Sequence, residues 1–264
     1  MDLLPLLRRI ANNHSEVRLL NIYKGLPISY DTNIDSVIDS EIQVQGNRYQ
    51  IACLYYQGES YLKMEELPFI IRSQVMSLNL AKESARFSNF EVAKNNIGKR
   101  SQIRVEPEEP LIVSIQFSGS QSDLLAPLAD ISAEGASVHF EPYMFPVRLA
   151  HPGNELTMTI SLPDSIYSKI KKLSQKFEGR KVTSPLRANP AGGQDGKIVI
   201  TARGKVIAVY HDMHMNRYRV SMKLFFQDLS RMVILQYISQ RQSEIIQDLH
   251  LLSDELYKLT NSIP

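Results

Sequence analysis

Apolar and polar residues alternate with a period of two through most of the chain, and helical spacing is confined to the two ends and one insertion. Residues 2–12 predict a short opening helix, with Asp2 as cap, Pro5 tolerated in the first turn and Leu3, Leu6, Leu7 and Ile10 on one face. Glu41 to Gln45 then alternates, Gly46-Asn47 supplies a turn, and Arg48 to Tyr56 reads as the returning strand of a hairpin. Ser60 to Met64, Val75 to Leu80 and Ala85 to Phe90 carry further strand-length patterns, interrupted at Leu67-Pro68. Together these predict one compact β domain over residues 1–93.

The polar stretch Ala93 to Arg100 has no apolar period and contains Gly98, so residues 94–104 read as a linker. Six more β segments follow: Pro110 to Phe117, Leu124 to Ile131, Ala136 to Phe140, Glu155 to Leu162, Lys197 to Tyr210 and Arg217 to Phe226. Six strands are enough to close a small barrel, here over residues 105–227. An insertion at 163–196 divides it, helical in spacing over Ser165 to Phe177 and rich in Gly, Pro, Ser and Asn afterwards. From Asp228 the period lengthens, and Ile238, Ile245, Leu249, Leu252, Leu256 and Leu259 predict a long terminal helix over 228–264. Its apolar stripe has two available uses: packing on the protein's own barrel, or pairing with a second copy in a homodimer, although Gln242 in the seam weakens a strict zipper. The expected fold class is all-β, with two small barrels and a C-terminal helix.

Charge narrows the chemistry. Lys and Arg total 30 against 28 Asp and Glu, so no overall field of the kind a DNA or membrane binder uses is present, and any anion site must be local. No apolar run approaches the ~20 residues of a transmembrane helix, and the N-terminus lacks the features of a secretion signal, which places the protein in the cytoplasm. The single Cys53 lies in an apolar segment and is expected to be a buried, inert thiol. His211 and His214 flank a turn without a Cys or carboxylate partner, so no metal is expected. GxSxG, Walker and GxGxxG motifs are all absent, which argues against an enzyme.

Two short patterns remain. Arg100-Ser-Gln-Ile-Arg104 is an RxxxR spacing that about one pair per chain would match by chance, and Asp130 to Gly135 is a DxSxxG that roughly one chain in ten would contain. In this order, each at the edge of a β segment, they are far more specific. A guanidinium grips the O6 and N7 edge of guanine with two hydrogen bonds and forks equally well onto phosphate. Asp130 is suited to accept from guanine N–H groups or to hold an arginine in pose, Ser132 adds a small hydroxyl, and Gly135 permits close backbone approach. The implied ligand is anionic and contains guanine.

With both motifs complete, residues 95–240 resemble a PilZ domain, and the segment before them, including Gln50 to Leu54, Glu66-Leu-Pro68 and Ser88-Asn-Phe90, is similar to the N-terminal domain of YcgR-like flagellar brake proteins. The resemblance implies a split-barrel-like N-terminal domain, a six-stranded PilZ barrel and a cyclic di-GMP effector. In it Arg100 and Arg104 contact bases and phosphates, and Asp130, Ser132 and Gly135 complete the pocket. It also implies that a basic residue before RxxxR, here Lys99, favours two intercalated ligand molecules per site. The partner implied is the flagellar motor or another effector protein, with recruitment to the flagellar basal body. The competing reading is an interaction or RNA-binding module in which the arginines only neutralise phosphates; it predicts steep salt dependence and no guanine preference.

Overall fold

A computed structural model describes residues 2–93, 102–163, 197–213 and 215–261, and it divides the chain into two units, one of residues 1–101 with 243–264 and one of residues 102–242. The predicted insertion at 163–196 and its helix lie outside the described residues except at Pro163, as does His214.

The first unit is a seven-stranded antiparallel sheet, β2-β1-β5-β6-β7-β4-β3, that curls around its core. Helix α1 (Leu4–Asn12) opens it much as its spacing predicts: Leu3, Leu7 and Ile10 are buried, and Asp2 Oδ1 accepts from Leu4 N at 3.0 Å. Strands β1 (Val17–Tyr23), β2 (Leu26–Thr32) and β3 (Ile34–Ile38) come next, before β4 (Glu41–Gln45). The first three are not among the strands expected from the sequence. The signal was available at Lys24-Gly25, whose φ values of 48° and 82° make the left-handed two-residue turn that a twisted hairpin needs.

Residues Arg48–Gln57 form a helix, α2, rather than the returning strand expected from their sequence. Asn47 decides the matter. Its side chain accepts from the backbone N–H groups of Tyr49 and Gln50, capping a helix start, and Gly58 closes the other end at φ 67°. The apolar run that mimics a strand is buried on several sides, with Ile51, Ala52, Cys53 and Leu54 all inaccessible, so it shows no helical amphipathicity. A buried polar network ties the helix to the sheet: Gln50 Nε2 donates to Asn21 Oδ1 at 2.6 Å, and Ser60 Oγ donates to the same oxygen at 2.9 Å. Cys53 sits in this helix, and burial pushes its thiol up to about 12, which keeps it unreactive. Strands β5 (Glu59–Lys63), β6 (Ile71–Asn79) and β7 (Ser84–Val92) complete the unit around Leu19, Ile42, Leu62, Ile71 and Phe87.

The terminal helix α3 (Asp228–Asn261) contributes its last part to this same unit. His250 stacks on Tyr49 at 4.5 Å, Arg48 Nε donates to Ser253 Oγ at 3.0 Å while its guanidinium pairs with Asp254, and Lys24 pairs with Asp248 at 2.6 Å. Ile245, Leu249 and Leu256 are buried within the single chain. The distal stripe therefore packs within the N-terminal unit, where the sequence had offered the barrel or a second copy.

The second unit is a closed antiparallel barrel of β8 (Ile112–Phe117), β9 (Leu124–Ser132), β10 (Gly135–Phe140), β11 (Glu155–Pro163), β12 (Lys197–Asp212) and β13 (Arg217–Phe225). Around it the order is β10-β13-β12-β11-β8-β9. Alternation fills the interior with Ile115, Phe117, Val138, Met158, Ile200, Val220 and Met222. At one end Phe145 stacks on Tyr218 at 4.0 Å and meets Phe140 edge-on, while His211 covers the other face of Tyr218 at 4.5 Å. His211 is thus part of an aromatic plug.

Candidate binding site

The DxSxxG residues span the β9–β10 hairpin, and a bulge sets which of them faces outward. Ser137 pairs with Asp130 but Val138 pairs with Leu128, so Ala129 is an extra residue. The parity of β9 changes there. Leu128 and Ile131 both point inward, and Asp130 opposite Ser137 takes the outer face. A regular strand would have put Leu128 and Asp130 on the same side.

Asp130 is only 3% exposed, yet both of its oxygens are occupied by guanidinium groups. Arg104 Nη1 donates to Oδ1 at 3.1 Å, and Arg219 donates to Oδ2. Arg104 also donates to Ser137 Oγ at 3.2 Å, and Ser137 is within 3.0 Å of Ser221 Oγ on β13. Two guanidinium groups against one carboxylate leave a formal excess of one positive charge. The Arg104 side chain keeps 24% of its surface exposed and that of Arg219 37%, so both have donors available to an anion.

Arg104 reaches this position because its neighbour Val105 forms a two-bond bridge with Ile131, N to O at 3.0 Å in both directions. The segment is held further along by Arg241 of α3, 3% exposed, which donates to Glu106 O at 2.9 Å and lies 3.5 Å from Glu108. Ser132 and Gly135 shape the hairpin itself. Ser132 Oγ donates to Gly135 O at 3.1 Å, and a Cβ added at Gly135 would lie 2.5 Å from Met222 O on β13, so a side chain has no room there. The close approach at Gly135 is thus to the protein's own backbone.

Of the residues singled out in the sequence, Arg104, Asp130, Ser132 and Gly135 lie on this one patch, while Lys99 and Arg100 lie outside the described residues. Arg219 was not anticipated. Its only sequence signal is the alternation Arg217-Tyr-Arg-Val-Ser221, which puts two arginines at outward positions of a strand without saying what they face. His139, on the outer face opposite Arg219, is half-buried, and desolvation with the charges of Arg217 and Arg219 pushes its imidazole down to about 4.

That shift has a measurable consequence. An unfolded chain takes up a proton on this histidine near pH 6.5 while the folded barrel resists until about 4, so stability should fall as pH drops through that window and be fully present above it. His139→Gln should flatten the pH dependence of the denaturation midpoint between 6.5 and 4; an unchanged profile would place the histidine in an environment no different from water.

Among the described residues no group of three or more His, Cys, Asp or Glu is arranged to hold a metal, and no helix is long and apolar enough to cross a membrane. A polar cleft lined by Arg8, Asn12, His14, Asn33 and Asp35 lies in the first unit and includes none of the motif residues.

No family model and no curated protein matches the chain. Similar solved structures exist at low similarity. The Bacillus subtilis inhibitor of motility MotI/DgrA is 12% identical, with 88% of this chain and 97% of that one covered and a TM-score of 0.39. Escherichia coli YcgR in complex with c-di-GMP is 11% identical over 95% of this chain and 93% of its own, with a TM-score of 0.38. The isolated PilZ domain of E. coli YcgR with c-di-GMP is 14% identical, covering 57% of this chain and 96% of that one, with a TM-score of 0.33.

Proposed function

We propose that the protein is a cyclic di-GMP receptor of the PilZ type, a binding protein rather than an enzyme. The observation that carries this reading is the state of Asp130: a buried carboxylate whose two oxygens orient two separate arginines on an outward face, one of them the second arginine of RxxxR. Such an arrangement presents planar, bidentate donors with a net positive charge, which matches a ligand built of guanine edges and phosphates. Lys99 and Arg100 complete the site in this reading, and Ser132 and Gly135 hold the hairpin that aims Asp130.

Calorimetric titration with cyclic di-GMP, against GTP and cyclic di-AMP, tests it. Selective binding with two molecules per chain is expected, and Lys99→Leu should move the ratio toward one. Equal heats for all three nucleotides, with steep salt dependence, would instead favour simple phosphate neutralisation.

The receptor reading extends to an effector. A ligand held by Arg100 and Arg104 engages the stretch that joins the two units, and differential affinity for one conformation of that stretch is what turns binding into a signal. In this reading the protein acts in the cytoplasm, with the flagellar motor or another motility component as its target. Hydrogen exchange across residues 93–104 and small-angle scattering, with and without cyclic di-GMP, check the step. Slowed exchange with a changed scattering profile is expected; slowed exchange at constant profile would leave a binding module alone.

A further inference from the structure

Cross-strand register on the barrel's outer surface places three side chains in one row. His139 of β10 pairs with Arg219 of β13, and Arg219 pairs with Tyr210 of β12. Directly opposed residues in antiparallel strands project to the same face with their Cβ atoms about 5 Å apart, so the row is a continuous strip across three strands. It borders the patch around Asp130 through Arg219, which belongs to both.

Each member has an unused capacity. Tyr210 is 61% exposed, and its ring stacks on no other ring among the described residues, in contrast to Tyr218 one barrel layer away, which is covered on both faces. The Arg219 guanidinium gives Asp130 one of its five N–H donors through Nη2, and its side chain keeps 37% of its surface exposed, which leaves further donors for a ligand. His139 is half-buried beside it and stays uncharged at neutral pH, so it offers a ring nitrogen acceptor or a flat edge rather than a repelling cation.

We propose that the row His139, Arg219 and Tyr210 is a base subsite, in which a guanine stacks on the Tyr210 ring and presents its O6 and N7 edge to the Arg219 fork. The inference rests on the cyclic di-GMP reading above and extends it: it assigns a second base-recognition surface, on β12 and β13, outside both sequence motifs. Stacking on an exposed aromatic and a bidentate arginine contact are each strong, base-directed interactions, and here they adjoin a site already biased toward anions. Asp130 then serves two arginines at once, one for each side of the ligand.

The chain contains no tryptophan, which makes a direct test available. Tyr210→Trp keeps a stacking ring at an exposed position and introduces a single indole. Cyclic di-GMP should bind this full-length variant with near wild-type affinity and quench its emission on saturation. Tyr210→Ala should weaken binding about tenfold or more. Arg219→Lys, which keeps a positive charge beside Asp130 but loses the fork, should weaken it about tenfold while the thermal midpoint stays close to wild type; a role limited to holding Asp130 would leave affinity unchanged in this variant. If the wild-type protein fails to bind cyclic di-GMP, the receptor reading falls and the subsite with it. If wild type binds, Arg104→Ala does not, and both Tyr210→Ala and Arg219→Lys bind normally with an indifferent indole, the subsite alone is overturned.

Discussion

Replacing Arg104 by alanine is expected to abolish measurable cyclic di-GMP binding while leaving the barrel folded. The arginine is partly exposed, and among the described residues its side-chain hydrogen bonds go to Asp130 and Ser137 on the barrel's outer face, so its removal opens no core cavity. Asp130 keeps its second guanidinium from Arg219 and is not stranded as an unpaired buried charge, the situation that makes single deletions in buried pairs costly. What is lost is a charge-assisted, bidentate donor, worth about 2–3 kcal/mol, or on the order of a hundredfold in affinity. Calorimetry gives the affinity and circular dichroism the fold. A variant that binds as wild type would remove Arg104 from the site.

The second large effect is on stability. Gly135→Ala puts a methyl carbon 2.5 Å from Met222 O, where the obstacle is backbone in a closed ladder and not the end of a flexible side chain. Either the β9–β10 hairpin or β13 must move, and Gly135 pairs with Lys223 while Leu224 N donates to Glu134 O at 2.9 Å, so both hold each other in place. Overpacking of this kind costs about 1–3 kcal/mol, and the upper end is expected because the contact is to main chain. Thermal unfolding should report a midpoint lower by roughly 5–10 °C. Binding should weaken too, because the hairpin carries Asp130. Ser132→Ala, which removes one hydrogen bond inside the hairpin, should give a smaller drop; a Gly135→Ala protein that melts with wild type would show that the strands yield without cost.

The barrel was legible in the sequence because β8, β11, most of β12 and β13 alternate and turn residues separate the strands. The first unit was less so. Arg48–Gln57 is apolar on several sides, and a short apolar run with no period fits a buried strand as well as a buried helix; the caps at Asn47 and Gly58 separate the two, and Gly46-Asn47 fits a hairpin turn equally well in sequence. β1 is buried on both faces along Leu19, Leu20 and Asn21 and so does not alternate, whereas β2 alternates over Leu26–Thr32 as a strand with one solvated face does. At the candidate site, Arg104, Asp130, Ser132 and Gly135 are carried by two sequence motifs, and the structure places them on or beside the β9–β10 hairpin. Arg219 belongs to neither motif, since its role depends on which strand closes the barrel beside β10, and no local pattern carries that information. The inward turn of Leu128 and Ile131 with Asp130 outward depends likewise on a bulge that alternation rules cannot anticipate.

The pairing of Asp130 with Arg219 joins residues 89 apart in the chain, across the seam where β10 meets β13. Strands β8 to β9, β9 to β10, β11 to β12 and β12 to β13 pair with their sequence neighbours, whereas the β10–β13 seam joins strands far apart in the chain and so carries a larger loop-closure cost. The second guanidinium therefore reaches its carboxylate only once β13 has closed on β10. A nascent chain that has emerged as far as β12 already carries both motifs and still lacks Arg219, so on the receptor reading a nucleotide would meet the complete grip only in the closed barrel and, bound there, would act as a clasp across the seam against its reopening.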